Sequence, residues 1–129
     1  MLHRSCAVLL VILGLFVIGC GTAPIYQVVD APIVTATDKY TIEDVRKAIF
    51  RAGTSKGWRM KTLAKRRIEG SITVRKATAQ VVIDYDWNRY SIRYKDSENL
   101  NYDGATIREG YNRWVRNLDQ QIRVELSGL

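Results

Sequence analysis

Histidine and cysteine are almost absent from this sequence. The only histidine among the 129 residues is His3, and the two cysteines are Cys6 and Cys20. Everything after residue 20 therefore lacks imidazole and thiol groups. Nucleophile systems of the Ser-His-Asp and Cys-His types, and zinc sites with histidine ligands, cannot be built there. Disulfides are excluded as well, so a domain in this region must be stabilised by its hydrophobic core alone.

Long apolar runs are equally scarce. One such run occupies residues 9–20, which read LLVILGLFVIGC, with the single basic residue Arg4 ahead of it. It is shorter than the ~20 apolar residues of a membrane-spanning helix, and small uncharged residues follow it instead of a basic cluster. A basic start, a short apolar stretch and a small residue at its end are typical of a secretory signal peptide. An uncleaved N-terminal anchor helix is the alternative.

The end of this run, VIGC at residues 17–20, resembles the lipobox of bacterial lipoproteins. The resemblance implies that Cys20 receives a diacylglyceryl group, becomes the new N-terminus and is then N-acylated. Two or more acyl chains anchor a protein stably in a membrane. Because Arg4 stands alone, the general secretion route is implied rather than the twin-arginine route. Gly21, in place of the aspartate that favours the inner membrane, implies delivery to the outer membrane, with the domain facing the periplasm.

Cleavage before Cys20 would divide the chain into three parts. These are a signal peptide at residues 1–19, a lipidated N-terminus with a short tether at 20–24, and a single domain at 25–129. The whole chain has 20 lysines and arginines against 13 acids, a formal net charge of +7, and loss of Arg4 leaves 19 against 13, or +6. The 110 residues that remain suffice for one domain. Apart from the acyl groups on Cys20, we expect no cofactor and no metal.

Two patterns predict the first half of the domain. Residues 25–29 are rich in β-branched side chains and predict an edge strand, because the nearby Pro32 cannot donate to a sheet ladder. An extended, unpaired arm is the alternative. Thr41 and Asp44 form a capping-box pair that predicts a helix start, and apolar residues then recur at three- and four-residue intervals. Gly53 predicts the end of this helix through a left-handed cap.

Beyond Gly57 the apolar period changes from helical to alternating. The alternation predicts an antiparallel meander of four strands, at residues 58–63, 67–74, 79–85 and 90–94. After a loop at residues 96–104, a stripe at helical spacing predicts a long helix that covers the inner face of the sheet. The members of this stripe are Ile107, Tyr111, Trp114, Leu118, Ile122 and Leu126. The predicted fold is an α+β two-layer sandwich with the order β-α-β-β-β-β-α.

One segment begins like a calcium-binding loop. Asp84, Asp86 and Asn88 place oxygen ligands at alternate positions, as in the EF-hand. That pattern then requires glycine and glutamate at positions that Arg89 and Lys95 occupy here. The sequence therefore favours a hairpin turn with acidic side chains over a metal site.

Other patterns that suggest a catalytic or sugar-binding site are weak. Asp96, Glu98 and Asp103 share one predicted loop and resemble the paired carboxylates of a glycoside hydrolase, but nothing indicates a cleft that raises a pKa. Side chains that hold a turn are a simpler explanation. Of the three tryptophans, Trp87 alone is expected to be exposed, at a hairpin tip, and one tryptophan does not make a sugar platform. We expect no catalytic residue and no enzymatic activity.

Basic residues concentrate around the first predicted hairpin. The candidate contacts for an anionic ligand are Lys56, Arg59, Lys61, Lys65, Arg66 and Arg67. Such residues attract lipopolysaccharide phosphates or lipid headgroups by about 1 kcal/mol per charge near an anionic surface. The alternative is a solvated hairpin whose lysines discourage edge-to-edge pairing. Nucleic acid is not an expected partner, because secretion separates the protein from it and the outer sheet face lacks aromatic residues that stack on bases.

Four short segments resemble a family of small, uncharacterised proteobacterial outer-membrane lipoproteins: GW at 57–58, YSIRYKDS at 90–97, NLNY at 99–102 and YNRW at 111–114. The resemblance implies a location rather than an activity. The leading hypothesis is a lipid-anchored, non-enzymatic cell-envelope protein that binds an envelope protein, lipopolysaccharide or peptidoglycan. An accessory role in outer-membrane or lipopolysaccharide assembly is the alternative, and an envelope glycan hydrolase is the weaker one.

Overall fold

Two helices cover one face of a five-stranded antiparallel sheet in the computed structural model, which describes residues 21–129. The elements follow the order β1 (Thr22–Pro24), β2 (Val28–Pro32), α1 (Ile42–Ser55), β3 (Arg59–Ala64), β4 (Arg67–Val74), β5 (Ala77–Tyr85), β6 (Arg89–Glu98), β7 (Thr106–Arg108) and α2 (Glu109–Ser127). The α+β class predicted from the sequence is confirmed. The predicted signal peptide at residues 1–19 and the predicted lipidation site Cys20 lie outside the described residues.

The main sheet has the strand order β2-β6-β5-β4-β3, and strands β3 to β6 form the predicted antiparallel meander. The predicted start of the following loop at residue 96 is wrong, because β6 runs to Glu98 and includes both Asp96 and Glu98. Alternation explains why these residues form strands. Along β5 the side chains of Ala79, Val81, Ile83 and Tyr85 are buried, while the residues between them point to the opposite face. The sheet therefore has an apolar inner face under the helices and a mostly polar outer face.

The N-terminal edge strand exists, but its position differs from the prediction. Strand β2 spans Val28–Pro32 instead of residues 25–29 and pairs with β6, so the sheet has five strands and the unpaired arm is excluded. The register shifts between Val28 and Ala31, where Asp30 has a φ of 50° and its N–H donates to Ser91 Oγ at 2.9 Å. This bulge buries both Val28 and Ala31, which simple alternation does not predict.

A second, two-stranded sheet was not predicted from the sequence. It pairs β1 with β7 in antiparallel register, and Thr22 lies opposite Arg108. The buried Asn112 of α2 secures the chain around the end of β1. Its Nδ2 donates to the Pro24 carbonyl oxygen at 2.9 Å, and its Oδ1 accepts from the Tyr26 N–H at 2.8 Å. Residues 22–24, expected to be part of a tether, are therefore built into the fold.

Helix α1 begins as predicted but ends later. Asp44 N–H donates to Thr41 Oγ1 at 3.1 Å and Thr41 N–H donates to Asp44 Oδ2 at 2.9 Å, which completes the capping box and lowers the pKa of Asp44. The predicted end at Gly53 is wrong, because the helix continues to Ser55 and the left-handed residue is Gly57, with a φ of 88°. Gly53 is instead buried inside the helix, where the side chain of Met60 packs on its backbone.

Helix α2 begins two residues after Ile107 and buries a stripe that differs slightly from the predicted one. Ile107 is buried but belongs to β7. Trp114 is only partly buried, and Val115 takes the inner position beside it. The buried residues of α2 are Tyr111, Asn112, Val115, Leu118, Asp119, Ile122 and Leu126. The helical period alone does not distinguish Trp114 from Val115, since both lie near the same face.

The buried carboxylate of Asp119 is compensated by two partners. Tyr90, which is buried on β6, donates its hydroxyl to Asp119 Oδ1, and Arg123 Nε donates to Asp119 Oδ2 at 3.2 Å. Burial, and then the hydrogen bond to Asp119, raise the pKa of Tyr90. This contact joins the last helix to the middle of the sheet.

Gly53→Ala tests the packing of α1 on β3. A Cβ at this position would lie 2.2 Å from Met60 Sδ and 2.7 Å from its Cγ, so Met60 would have to leave its site. We expect the free energy of unfolding, measured by urea denaturation, to fall by about 1–3 kcal/mol through overpacking. Gly110→Ala is the matched control, because its Cβ would meet nothing closer than 3.8 Å and alanine favours a helix by up to about 1 kcal/mol. Equal stability of the two variants would contradict this packing.

Candidate functional site

The outer face of the sheet carries a ladder of paired charges. Asp84 Oδ1 lies 2.7 Å from Arg67 Nε, and Asp84 Oδ2 lies 3.0 Å from Arg93 Nη1. Beside them Lys95 pairs with Glu69. This ladder joins three cations to two carboxylates, so most of its charge is offset across the sheet and a net charge of +1 remains. Arg67, one of the predicted contacts for an anionic ligand, is therefore engaged within the sheet.

The other five predicted contacts follow β3 and its two flanking turns. Strand β3 is the last of the sheet, and its outer border has no strand partner among residues 21–129. We name this group the basic edge; its residues are Lys56, Arg59, Lys61, Lys65 and Arg66. All five are exposed, and none has a carboxylate within 4.0 Å in the described part of the chain. The basic edge therefore combines exposed cations that form no ion pair in the described residues with the unpaired backbone groups of an edge strand.

A cavity of about 390 Å³ opens beside the start of the basic edge. Its lining includes Arg59, Ser71, Thr78, Gln80, Asp96 and Glu98. One guanidinium and two carboxylates give this cavity no clear preference for an anion or a cation.

Asp103, the third carboxylate of the predicted loop, does not line this cavity and has a structural role. Its Oδ1 accepts from the N–H groups of Ala105 at 2.9 Å and Thr106 at 2.6 Å, and its Oδ2 accepts from Thr106 Oγ1 at 2.9 Å. These hydrogen bonds, led by the Thr106 backbone N–H, lower the pKa of Asp103. A general acid in glycoside hydrolysis needs a raised pKa. Asp103 is therefore suited to holding the loop before β7, not to donating a proton.

The segment 84–88 forms a hairpin turn rather than a cation-binding loop. Asp86 Oδ1 accepts from the backbone N–H groups of Asn88 at 2.9 Å and Arg89 at 3.0 Å. Within residues 21–129, no three side chains of the metal-ligating types come together. Trp87, at the tip of the turn, is 62 % exposed, as predicted.

One group of cations was not anticipated from the sequence. Arg75 and Lys76, in the turn between β4 and β5, lie with Arg108 around a cavity of about 430 Å³. The only sequence signal was a basic pair at a hairpin tip. Arg108 is remote from that pair in the chain, so the grouping depends on tertiary structure.

Comparisons of this chain with protein-family models, with curated proteins and with solved structures found no match. Neither helix within residues 21–129 combines the length and the apolar character that crossing a membrane requires.

Asp103→Asn should lower the melting temperature at neutral pH, because the ionised carboxylate stabilises the folded state through its three hydrogen bonds. The folded pKa lies below its ordinary value of 3.8, so this stabilisation is present above that value and is lost as the pH falls through the lowered pKa. The difference from the unmodified protein should therefore vanish in strong acid. Asp38→Asn, at an exposed position before α1, is the control. A difference that persists unchanged in strong acid would contradict the role of the charge.

Proposed function

We propose that this chain is a lipid-anchored, non-enzymatic protein of the bacterial cell envelope whose domain binds another envelope component through the basic edge. The observation that carries the binding proposal is the row of five exposed cations without carboxylate partners in the described chain. The anchoring proposal rests on the sequence of residues 17–20. Acylation of Cys20 holds the domain at the outer membrane, on its periplasmic side.

The chemistry of the basic edge narrows the class of partner. Lysine and arginine side chains attract phosphates and carboxylates, and an edge strand can pair with an extended segment through its main chain. Lipopolysaccharide phosphates, peptidoglycan carboxylates and an acidic segment of an envelope protein all offer matching groups. Lysines on the edge deter a second copy of this chain from pairing there, which favours a different partner.

Two further functions draw on the same surfaces. An accessory role in outer-membrane or lipopolysaccharide assembly is the alternative, and it would use the same cations to hold a lipopolysaccharide phosphate. An envelope glycan hydrolase is the weaker alternative, with the carboxyl groups of Asp96 and Glu98 in its cavity. A hydrolase needs a carboxyl group in an apolar cleft to act as general acid, whereas both of these residues are exposed.

Replacing three cations of the basic edge should weaken lipopolysaccharide binding if lipopolysaccharide is the partner. The variant Arg59→Gln, Lys61→Gln and Arg66→Gln is expected to lose about a hundredfold in affinity at low salt, about fivefold for each charge. The measurement is co-sedimentation of the acylated protein with lipopolysaccharide aggregates over a range of concentrations. The reason is the loss of direct attraction to phosphate, which salt also screens.

A matched control removes the same charge from other exposed positions, through Lys39→Gln, Lys47→Gln and Arg113→Gln. An equal loss in this control would mean that net charge alone is responsible, and it would contradict the basic edge as a site. If unmodified protein does not bind lipopolysaccharide, the same pair of variants is compared in an affinity pull-down from envelope extract. Capture of the same proteins by both variants would contradict binding through the basic edge.

A further inference from the structure

The chain enters the described domain beside the beginning of α2. Thr22 lies opposite Arg108 in the β1–β7 pair, and the Glu109 N–H donates to the Gly21 carbonyl oxygen at 2.9 Å. Gly21 is the only residue between Cys20 and β1. Because one residue spans at most about 3.6 Å, a group attached to Cys20 begins within a few ångströms of this end of the domain.

Three cations surround a cavity at the same end. Its volume is about 430 Å³, and its lining includes Val74, Arg75, Lys76, Asn99, Asn101 and Arg108, with no carboxylate. Two hydrogen bonds hold the contributing segments together. Asn99 Nδ2 donates to the Lys76 carbonyl oxygen at 2.7 Å, and the Arg108 N–H donates to the Leu100 carbonyl oxygen at 2.9 Å. We name Arg75, Lys76 and Arg108 the membrane-end cluster.

The positive charge of the membrane-end cluster is not neutralised within the described residues, where none of its three side chains has a carboxylate within 4.0 Å. The two acidic residues nearest to Arg108 in the sequence make contacts elsewhere. Glu109 pairs with Arg116 at 3.0 Å, and Asp103 is occupied by its own loop. Guanidinium and ammonium groups around a cavity of this kind suit a phosphate.

We propose that the membrane-end cluster binds the phosphate groups of anionic phospholipids in the membrane that holds the acyl chains of Cys20. This inference rests on the proposed acylation, which brings that surface to within a few ångströms of the cluster. Val74 lies at the rim of the cavity and is 39 % exposed, so it adds an apolar contact with the headgroup region. An acyl anchor together with a basic patch binds a membrane more stably than either does alone.

Docking through this cluster also fixes the orientation of the domain. Strand β4 begins after Arg66 and ends before Arg75, so the two arginines lie at opposite ends of an eight-residue strand. The two arginines are nine residues apart, which at about 3.3 Å per residue is a separation of about 30 Å. With Arg75 at the lipid surface, Lys65 and Arg66 of the basic edge point away from the membrane, where a partner in the periplasm reaches them.

The test uses the acylated protein in vesicles of phosphatidylcholine, with or without phosphatidylglycerol. A single fluorophore is attached to a new cysteine, either Thr73→Cys next to the cluster or Trp87→Cys in the turn between β5 and β6. The label is specific because Cys20, whose thiol carries the lipid in the proposed form, is the only native cysteine after processing. Energy transfer to a headgroup-labelled lipid measures the distance from the membrane. We expect phosphatidylglycerol to increase transfer from position 73 relative to position 87, and salt to abolish the increase.

In the variant Arg75→Gln, Lys76→Gln and Arg108→Gln, the ratio of docked to undocked domains should fall about a hundredfold, about fivefold per charge. The matched variant Lys61→Gln, Lys65→Gln and Arg66→Gln loses the same charge on the basic edge and should dock normally. If the energy transfer of the anchored protein does not change with phosphatidylglycerol, or falls equally in both variants, the docking inference is overturned and the proposed anchor is not. A purified protein that does not float with phosphatidylcholine vesicles overturns the proposed anchor, and with it the inference.

Discussion

One buried side chain, Asn112, holds the N-terminal segment of the described chain against helix α2. Its amide group is satisfied by the backbone of Pro24 and Tyr26, which lie 88 and 86 residues earlier in the sequence. A buried amide that loses such partners costs about 1–3 kcal/mol, so the N-terminal segment is strongly favoured to stay on α2. Pairing of β1 with β7 extends this attachment to Thr22. An acyl group on Cys20 would therefore be joined to a defined surface of the domain and not to the end of a loose tether.

The charges of the domain are organised around that attachment. On the outer face of the sheet, Arg67 and Arg93 share the carboxylate of Asp84, so both arginines are engaged within the sheet. Eight of the cations without an ion pair in the described residues belong to the basic edge and the membrane-end cluster, while Lys39, Lys47, Arg89 and Arg113 lie elsewhere. In the proposed arrangement the membrane-end cluster faces the lipid, and the turn that carries Arg66 lies at the far end of β4. A net positive charge alone would not explain this arrangement.

The sequence predicted the features whose signals are local. Alternation identified the four strands of the meander, and the side chains of Thr41 and Asp44 marked the start of α1 through contacts three residues apart. Features that depend on distant contacts were missed or displaced. Strands β1 and β7 are too short to show a period, and the end of α1 was misplaced because Gly53 accommodates Met60 rather than forming a cap. The membrane-end cluster was missed because the fold assembles it from separate segments.

The proposed attachment of lipid at residue 20 is the central claim, because both the proposed location of the domain and its proposed orientation at the membrane depend on it. Mass spectrometry of the N-terminal peptide, released by protease from protein extracted from the membrane fraction, tests it most directly. The account predicts a peptide that begins at Cys20 and carries the mass of a diacylglyceryl group and an N-acyl chain. A peptide that still contains residues 1–19, or one that begins elsewhere with an unmodified Cys20, would contradict it.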